Sequence, residues 1–341
     1  MSEYDVAQSQ GMHVVHDGPP EAPPLLLIHG SGMSGASWNP VVPALAGHHH
    51  VIRVDLPGCG RSPASPSYEV PDQADRVAAV LDDLGVRSVV ALGHSSGGYI
   101  ATALAERRPD LVRSLALVST GPSPDALLPQ PALLRALLAP PLGPLLWARR
   151  SDAMIRRGIS VTCARPVDVP DDLLSDVRHL RYRTLRSVLR AYDAYIEERS
   201  VPERLAPLDV PVLVVFGGND PRWEPSSAHR YDTVPKARVE LLPGVGHVPI
   251  LEAPEATSTL LLGFTATAAG HPTGDPDCLD SADAADGDDD PARLVVGGRG
   301  GPAPVGPVAG GPHGRVPAPR LRTGGHRHGR APVDHPDRRP Q

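Results

Sequence analysis

Along residues 12–267, short unbroken apolar runs alternate with helix-patterned segments. This alternation most constrains the fold. Residues 25–28, 51–54, 88–92, 115–118 and 212–216 are apolar on consecutive positions apart from Arg53 and Ser88, as strands buried on both faces are. Residues 238–242 form a sixth, more polar run. Between the second and third runs, Val77, Val80, Leu81 and Leu84 recur at helical spacing and Gly85 closes the segment. Residues 97–107 follow the third run directly and end before Pro109. Strand, helix, strand with short links predicts an α/β fold: a doubly wound, mostly parallel sheet with helices on both faces.

One interval breaks the rhythm. Residues 121–208 contain no convincing strand. They hold a Leu-rich, proline-cut part and one long amphipathic stretch at 171–199, where Tyr182, Leu185, Val188, Leu189, Tyr192 and Tyr195 fall at helical spacing. An all-helical insertion between two sheet strands reads as a lid, and its tyrosines read first as packing residues. The domain plan is therefore a core at 1–120 and 209–267, a helical lid at 121–208, and a tail at 268–341. Residues 275–290 hold eight Asp and no Lys or Arg, and 291–341 hold nine Arg with many Gly and Pro. Such composition cannot offset its ordering entropy, so a disordered C-terminal tail is expected.

Composition excludes several classes. The net charge of −6 offers no basic footprint for nucleic acid. The apolar run at 136–148 is too short to span a bilayer and contains three prolines and a glycine, so no membrane association is expected. Cys59, Cys163 and Cys278 are too few and too scattered for a disulfide framework or a zinc site. The polar start shows no signal peptide, and a cytoplasmic protein is expected. His48, His49 and His50 read as the surface edge of a strand rather than a metal site.

The chemistry-bearing motif is Gly93-His94-Ser95-Ser96-Gly97, at the junction of the third run and the helix after it. A Ser on so sharp a strand-to-helix turn needs small neighbours two residues away on each side, and the turn presents its hydroxyl at a helix N-terminus. Such a hydroxyl needs a base, and the base needs an orienting carboxylate. The ligand edge of a doubly wound sheet is the carboxyl end of its strands. Two loops there qualify. The fifth run leads into Gly217-Gly218-Asn219-Asp220-Pro221, and the sixth into Gly244-Val245-Gly246-His247. Ser95, Asp220 and His247 are thus the candidate catalytic residues. The first run ends in His29-Gly30-Ser31-Gly32, so the backbone N–H groups of Ser31 and Ser96 are the candidate oxyanion donors. Trp38, Trp147 and Trp223 are candidates for the substrate pocket.

Five segments together, 25–32, 54–62, 93–98, 216–220 and 246–255, resemble the α/β-hydrolase superfamily in order and spacing. The resemblance implies a Ser–Asp–His hydrolase that needs no metal or organic cofactor and acts on a small molecule. It makes Asp55 and Arg61 scaffold residues and Glu252 to Glu255 the start of the last helix. Haloalkane dehalogenases and epoxide hydrolases of this fold carry Asp where Ser95 stands. Hydrolysis of an ester-like acyl bond in a small, largely apolar molecule is the favoured activity. Carbon–carbon bond hydrolysis of ring-cleavage products, a lid-gated receptor that keeps the triad, and an interaction protein working through its tail are the alternatives.

Overall fold

The structure is a computed structural model and describes residues 5–130, 136 and 139–269. Its centre is an eight-stranded sheet in the order β1-β2-β4-β3-β5-β6-β7-β8. The strands are β1 (Asp5–Ser9), β2 (Met12–Asp17), β3 (Pro24–Ile28), β4 (His50–Val54), β5 (Val89–His94), β6 (Val112–Val118), β7 (Val212–Gly217) and β8 (Ala237–Leu242). From β4 through β8 every neighbouring pair is parallel, with Leu26 opposite Ile52 and Ala91, and Gly93 opposite Leu117.

The six runs read from sequence are all strands; the first five bury both faces, and β8, at the sheet edge, is half-exposed. One face carries Leu26, Ile28, Ile52, Ala91, Leu115, Leu117, Val214 and Phe216 into the core that includes Val77 and Leu81 of α2 (Val70–Asp83) and Ile100 and Leu104 of α3 (Gly97–Arg107). The other carries Leu25, Leu27, Val51, Val90, Leu92, Val118, Leu213 and Val215. That face packs on Val42 and Leu45 of α1 (Val42–Ala46) and on Leu261 and Phe264 of the closing helix (Pro254–Ala269).

Two strands had no sequence expectation. β1 and β2 form an antiparallel hairpin whose turn residues, Gln10 and Gly11, both have positive φ (53° and 72°), as a two-residue hairpin requires. β2 then pairs antiparallel with β4. Its Asp17 takes both ends of the Arg53 guanidinium, Nε at 2.8 Å and Nη2 at 3.1 Å, which is how a charged residue sits inside a buried strand.

Between β6 and β7 the chain is helical: α4 (Leu142–Ala148), α5 (Asp152–Ser160), α6 (Asp171–His179), α7 (Tyr182–Glu198) and α8 (Val201–Leu205). The stretch at 171–199 was expected to be continuous and is instead broken at Leu180. Arg150 reaches the carbonyls of Val177, Arg178 and Leu180, and the Trp147 indole also donates to Leu180 O at 2.8 Å. Carbonyls held from outside are lost to helix continuation. Tyr192 and Tyr195 of α7 are buried with their rings against Tyr99 of α3.

The surface reading of His48–His50 holds for His48, which is exposed, and needs correction for the other two. His49 is buried, with Nε2 at 2.9 Å from Thr265 Oγ1, and the His50 ring stacks on His16. The β1–β2 hairpin and the closing helix cover what the sequence suggested was surface. α9 (Pro249–Glu252) and α10 (Pro254–Ala269) complete the fold. From residue 270 on, the expected tail lies outside the described residues, and so does most of 131–138. Among the described residues no helix is long and apolar enough to cross a membrane.

Candidate active site

Ser95 stands between β5 and α3 with φ 51°, a left-handed backbone that costs a non-glycine residue about 1 kcal/mol or more. The surroundings hold it there. Its N–H donates to Val118 O at 2.7 Å, and its carbonyl accepts from Thr120 Oγ1 at 2.9 Å. The flanking glycines are required by space. A Cβ on Gly93 would lie 2.5 Å from the backbone of Gly97 and Gly98, and one on Gly97 would overlap the carbonyl of Ile28.

The loops after β7 and β8 bring the other two candidates to this turn. His247 Nε2 lies 2.9 Å from Ser95 Oγ, and His247 Nδ1 lies 2.8 Å from Asp220 Oδ2. The three are 8%, 5% and 3% exposed for Ser95, His247 and Asp220. A carboxylate only accepts, so Nδ1 carries the imidazole proton and Nε2 is free to accept from the serine hydroxyl. The second oxygen of Asp220 accepts the N–H groups of Arg222 (2.7 Å) and Trp223 (3.1 Å), which fixes the carboxylate plane.

The backbone around His247 is held at every polar group. Its N–H donates to Thr162 O at 2.9 Å, and its carbonyl accepts His94 Nε2 at 3.0 Å. The flanking N–H groups of Gly246 and Val248 donate to Glu252 at 2.8 and 3.0 Å. Because His94 donates through Nε2, its Nδ1 is bare; it is buried without a partner and faces Gly30. Burial above all, with His247 beside it, holds His94 down at about 3, so the ring is neutral. Sequence reading missed both His94 and Glu252 as residues of this site. The motifs contained them, but the partners of His94 and two of those of Glu252 lie far away in the chain, and the other two partners of Glu252 are backbone N–H groups.

The loop carrying the candidate oxyanion donor Ser31 follows β3. His29 is buried and neutral: Nδ1 donates to Gly30 O at 2.8 Å, and Nε2 accepts the Leu56 N–H at 2.9 Å. The Ser31 N–H points to the turn that carries Ser95 and donates to Ser96 Oγ at 2.7 Å. Ser96 itself caps α3, so its own N–H has no intrahelical acceptor. Farther along the loop, Ser34 Oγ donates to Asp176 Oδ2 of α6 at 2.6 Å, and Leu185 of α7 lies over Gly32. Asp55 accepts the N–H groups of Gly35 (2.7 Å) and Arg61 (2.9 Å).

The three tryptophans have different places. Trp38 has no exposed surface and packs edge-on to His94, within the core. Trp223 is buried with its ring against Gly121, and its N–H is one of the two donors to Asp220 Oδ1. Trp147 is half-buried on α4, beside Tyr182 and under Arg150. A polar recess of about 150 Å³ lies beside Gly35, lined by His13, Arg53, Asp55, Arg61, Asp172 and Asp176. None of Ser95, Asp220 or His247 borders it, so it is separate from this site. Among the described residues no three His, Cys, Asp or Glu side chains are placed to hold a metal ion.

An eight-stranded, mostly parallel sheet with Ser, Asp and His joined at its carboxyl edge is the arrangement of an α/β hydrolase. The chain belongs to the alpha/beta hydrolase family, whose pattern it matches over residues 25–260, and it is an enzyme of that family. It is similar to the pimeloyl-[acyl-carrier protein] methyl ester esterase of Aeromonas hydrophila subsp. hydrophila, at 32% identity over 241 residues, 69% of this chain and 92% of that one. It is equally similar to the protein of that name from Neisseria meningitidis serogroup C, at 32% over 246 residues, 70% and 91% of the two chains. Among solved structures it resembles a bacterial membrane phospholipase A, with a TM-score of 0.65 at 25% identity over 79% of this chain and 87% of that one. An N-acyl homoserine lactonase shares the fold, with a TM-score of 0.67 at 23% identity over 80% and 100%.

Proposed function

We propose that this protein hydrolyses carboxylic esters of small, largely apolar acyl groups, with Ser95 as nucleophile. The supporting observation is the unbroken hydrogen-bonded run from Ser95 Oγ through His247 to Asp220. In this reading His247 Nε2 takes the hydroxyl proton as Ser95 Oγ attacks the ester carbonyl, and Asp220 stabilises the imidazolium. The tetrahedral oxyanion is received by the N–H of Ser96 and by that of Ser31, which turns from the Ser96 hydroxyl to the stronger acceptor. Each such donor lowers the barrier by about 3 kcal/mol. His247 then gives its proton to the leaving alkoxide, and the alcohol departs. Water, deprotonated by the same nitrogen, attacks the acyl-enzyme and releases the acid and the free serine. No cofactor enters any step.

The segment 121–208 acts in this proposal as the lid that roofs the acyl pocket, with Trp147 and Leu185 among its lining and Trp38 and Trp223 as supports from neighbouring loops. The leaving alcohol is small, as the names of the two methyl ester esterases suggest. The test is a matrix of p-nitrophenyl and methyl esters of graded acyl length, run beside a ring-cleavage dienone acid. Ester turnover with a graded length preference supports the proposal. Turnover of the dienone acid alone makes the enzyme a carbon–carbon hydrolase, and binding without turnover of any compound makes it a receptor.

A further inference from the structure

Glu252 is 9% exposed and carries a carboxylate that accepts four backbone N–H groups. Two come from the base loop: Gly246 at 2.8 Å and Val248 at 3.0 Å, on either side of His247. Two come from the strap between α5 and α6: Ala164 at 2.8 Å and Arg165 at 3.3 Å. The strap and the base loop also touch directly. The His247 N–H donates to Thr162 O, and a Cβ on Gly246 would lie 2.5 Å from Ala164 N. Cys163, inside the strap, has its thiol pushed up to about 12, by burial first and by the charge of Glu252 next.

We propose that Glu252 is a positioning residue that joins the 162–165 strap to the His247 loop as one rigid unit, so that the helical insertion sets the aim of the base. The proposal rests on His247 acting as the general base. Four N–H groups converging on one side chain require a group that only accepts, with lone pairs on two oxygens. Gly246, Ala164 and Arg165 share Oε2 while Val248 faces Oε1, so an amide is an incomplete replacement: with its oxygen on the first three, Gln turns its NH₂ to the Val248 N–H beside His247, which then stays buried and unpaired. The two donors of the strap lie 88 and 87 residues from Glu252 in sequence. Removing the carboxylate frees both loops at once. A small rotation of His247 lengthens its bond to Ser95, and such misplacement lowers the chemical step more than ground-state binding.

The experiment compares the full-length wild-type protein with Glu252→Gln and Glu252→Asp, with p-nitrophenyl butyrate as substrate and active sites counted by a phosphonate burst. Counting sites removes any effect of partial unfolding. Expected are a kcat per site at least about tenfold lower in Glu252→Gln with KM within about twofold, and an intermediate loss in Glu252→Asp. Wild-type kcat per site in Glu252→Gln overturns the proposal. Should neither variant fold, amide exchange in the wild type decides. The amides of Ala164, Gly246 and Val248 should then exchange within about tenfold of one another, as one cooperative unit. Exchange at Ala164 more than about a hundredfold faster than at Gly246 refutes the clasp. Failure of Ser95 to take the phosphonate in the wild type instead removes the hydrolase reading on which the proposal stands.

Discussion

Acid should destabilise this protein well before its carboxylates titrate, and His94 supplies the reason. The ring is buried and neutral, its value held at about 3 against 6.5 in the unfolded chain. The sign follows from proton counting. Below 6.5 the unfolded state binds a proton that the folded state refuses, so stability present at neutral pH is lost as pH falls toward 3. For one such group the loss between about pH 7 and about pH 5 is about 2 kcal/mol. In a domain of this size that is about 4–8 °C in Tm. Burial pushes His29 in the same direction and adds to the loss. Asp176, pushed up chiefly by burial, works the opposite way, and Asp55, held low by His13 and its N–H partners against burial, acts only at lower pH. Urea unfolding at the two pH values measures the change in wild type and in His94→Asn. The variant should be less stable at pH 7, because it loses the bond to His247 O, yet lose about 2 kcal/mol less between the two pH values. Equal losses in both proteins would refute the buried, neutral assignment of His94.

Two further outcomes follow from the fold. Leu185→Ala on α7, above Gly32, should change the preferred acyl length while p-nitrophenyl acetate turnover stays within about tenfold, since an apolar contact discriminates by only about 1–3 kcal/mol. Uniform loss over all acyl lengths would mean that α7 assembles the catalytic groups instead of reading the substrate. A chain ending at Ala269 should keep its Tm and its ester turnover, because the composition beyond it offers almost no core; loss of either shows that the tail contributes to the folded enzyme.

The parallel strands were legible because burial on both faces leaves no polar position to confuse the pattern: Leu25 to Ile28 and Val212 to Phe216 are apolar throughout. β2 was hidden for the converse reason. His13, His16 and Asp17 make it look like a loop, and only Arg53 from another strand gives Asp17 its partner. Ser95, Asp220 and His247 could be named as candidates because each stands in a turn or loop that follows a recognisable strand. The groups that aim them could not. His94 Nε2, Thr162 O and the Glu252 carboxylate act on backbone atoms of residues 85 or more positions away or, for Gly246 and Val248, on N–H groups that carry no side-chain signature. The break at Leu180 was likewise unreadable, because the carbonyls there are held by Arg150, from the link between α4 and α5.

The central claim is that Ser95 is the nucleophile, and a fluorophosphonate with peptide mass spectrometry tests it most directly. Wild-type protein should take one phosphonyl group, on the peptide containing Ser95, with ester turnover lost in step with labelling. Ser95→Ala should keep the wild-type melting profile, take no label, and turn over p-nitrophenyl esters at no more than a few per cent of the wild-type rate, a level of about 10⁻³ or below being usual for a lost triad member. Label on another serine, or an Ser95→Ala protein that hydrolyses esters at a rate near wild type, would contradict the account.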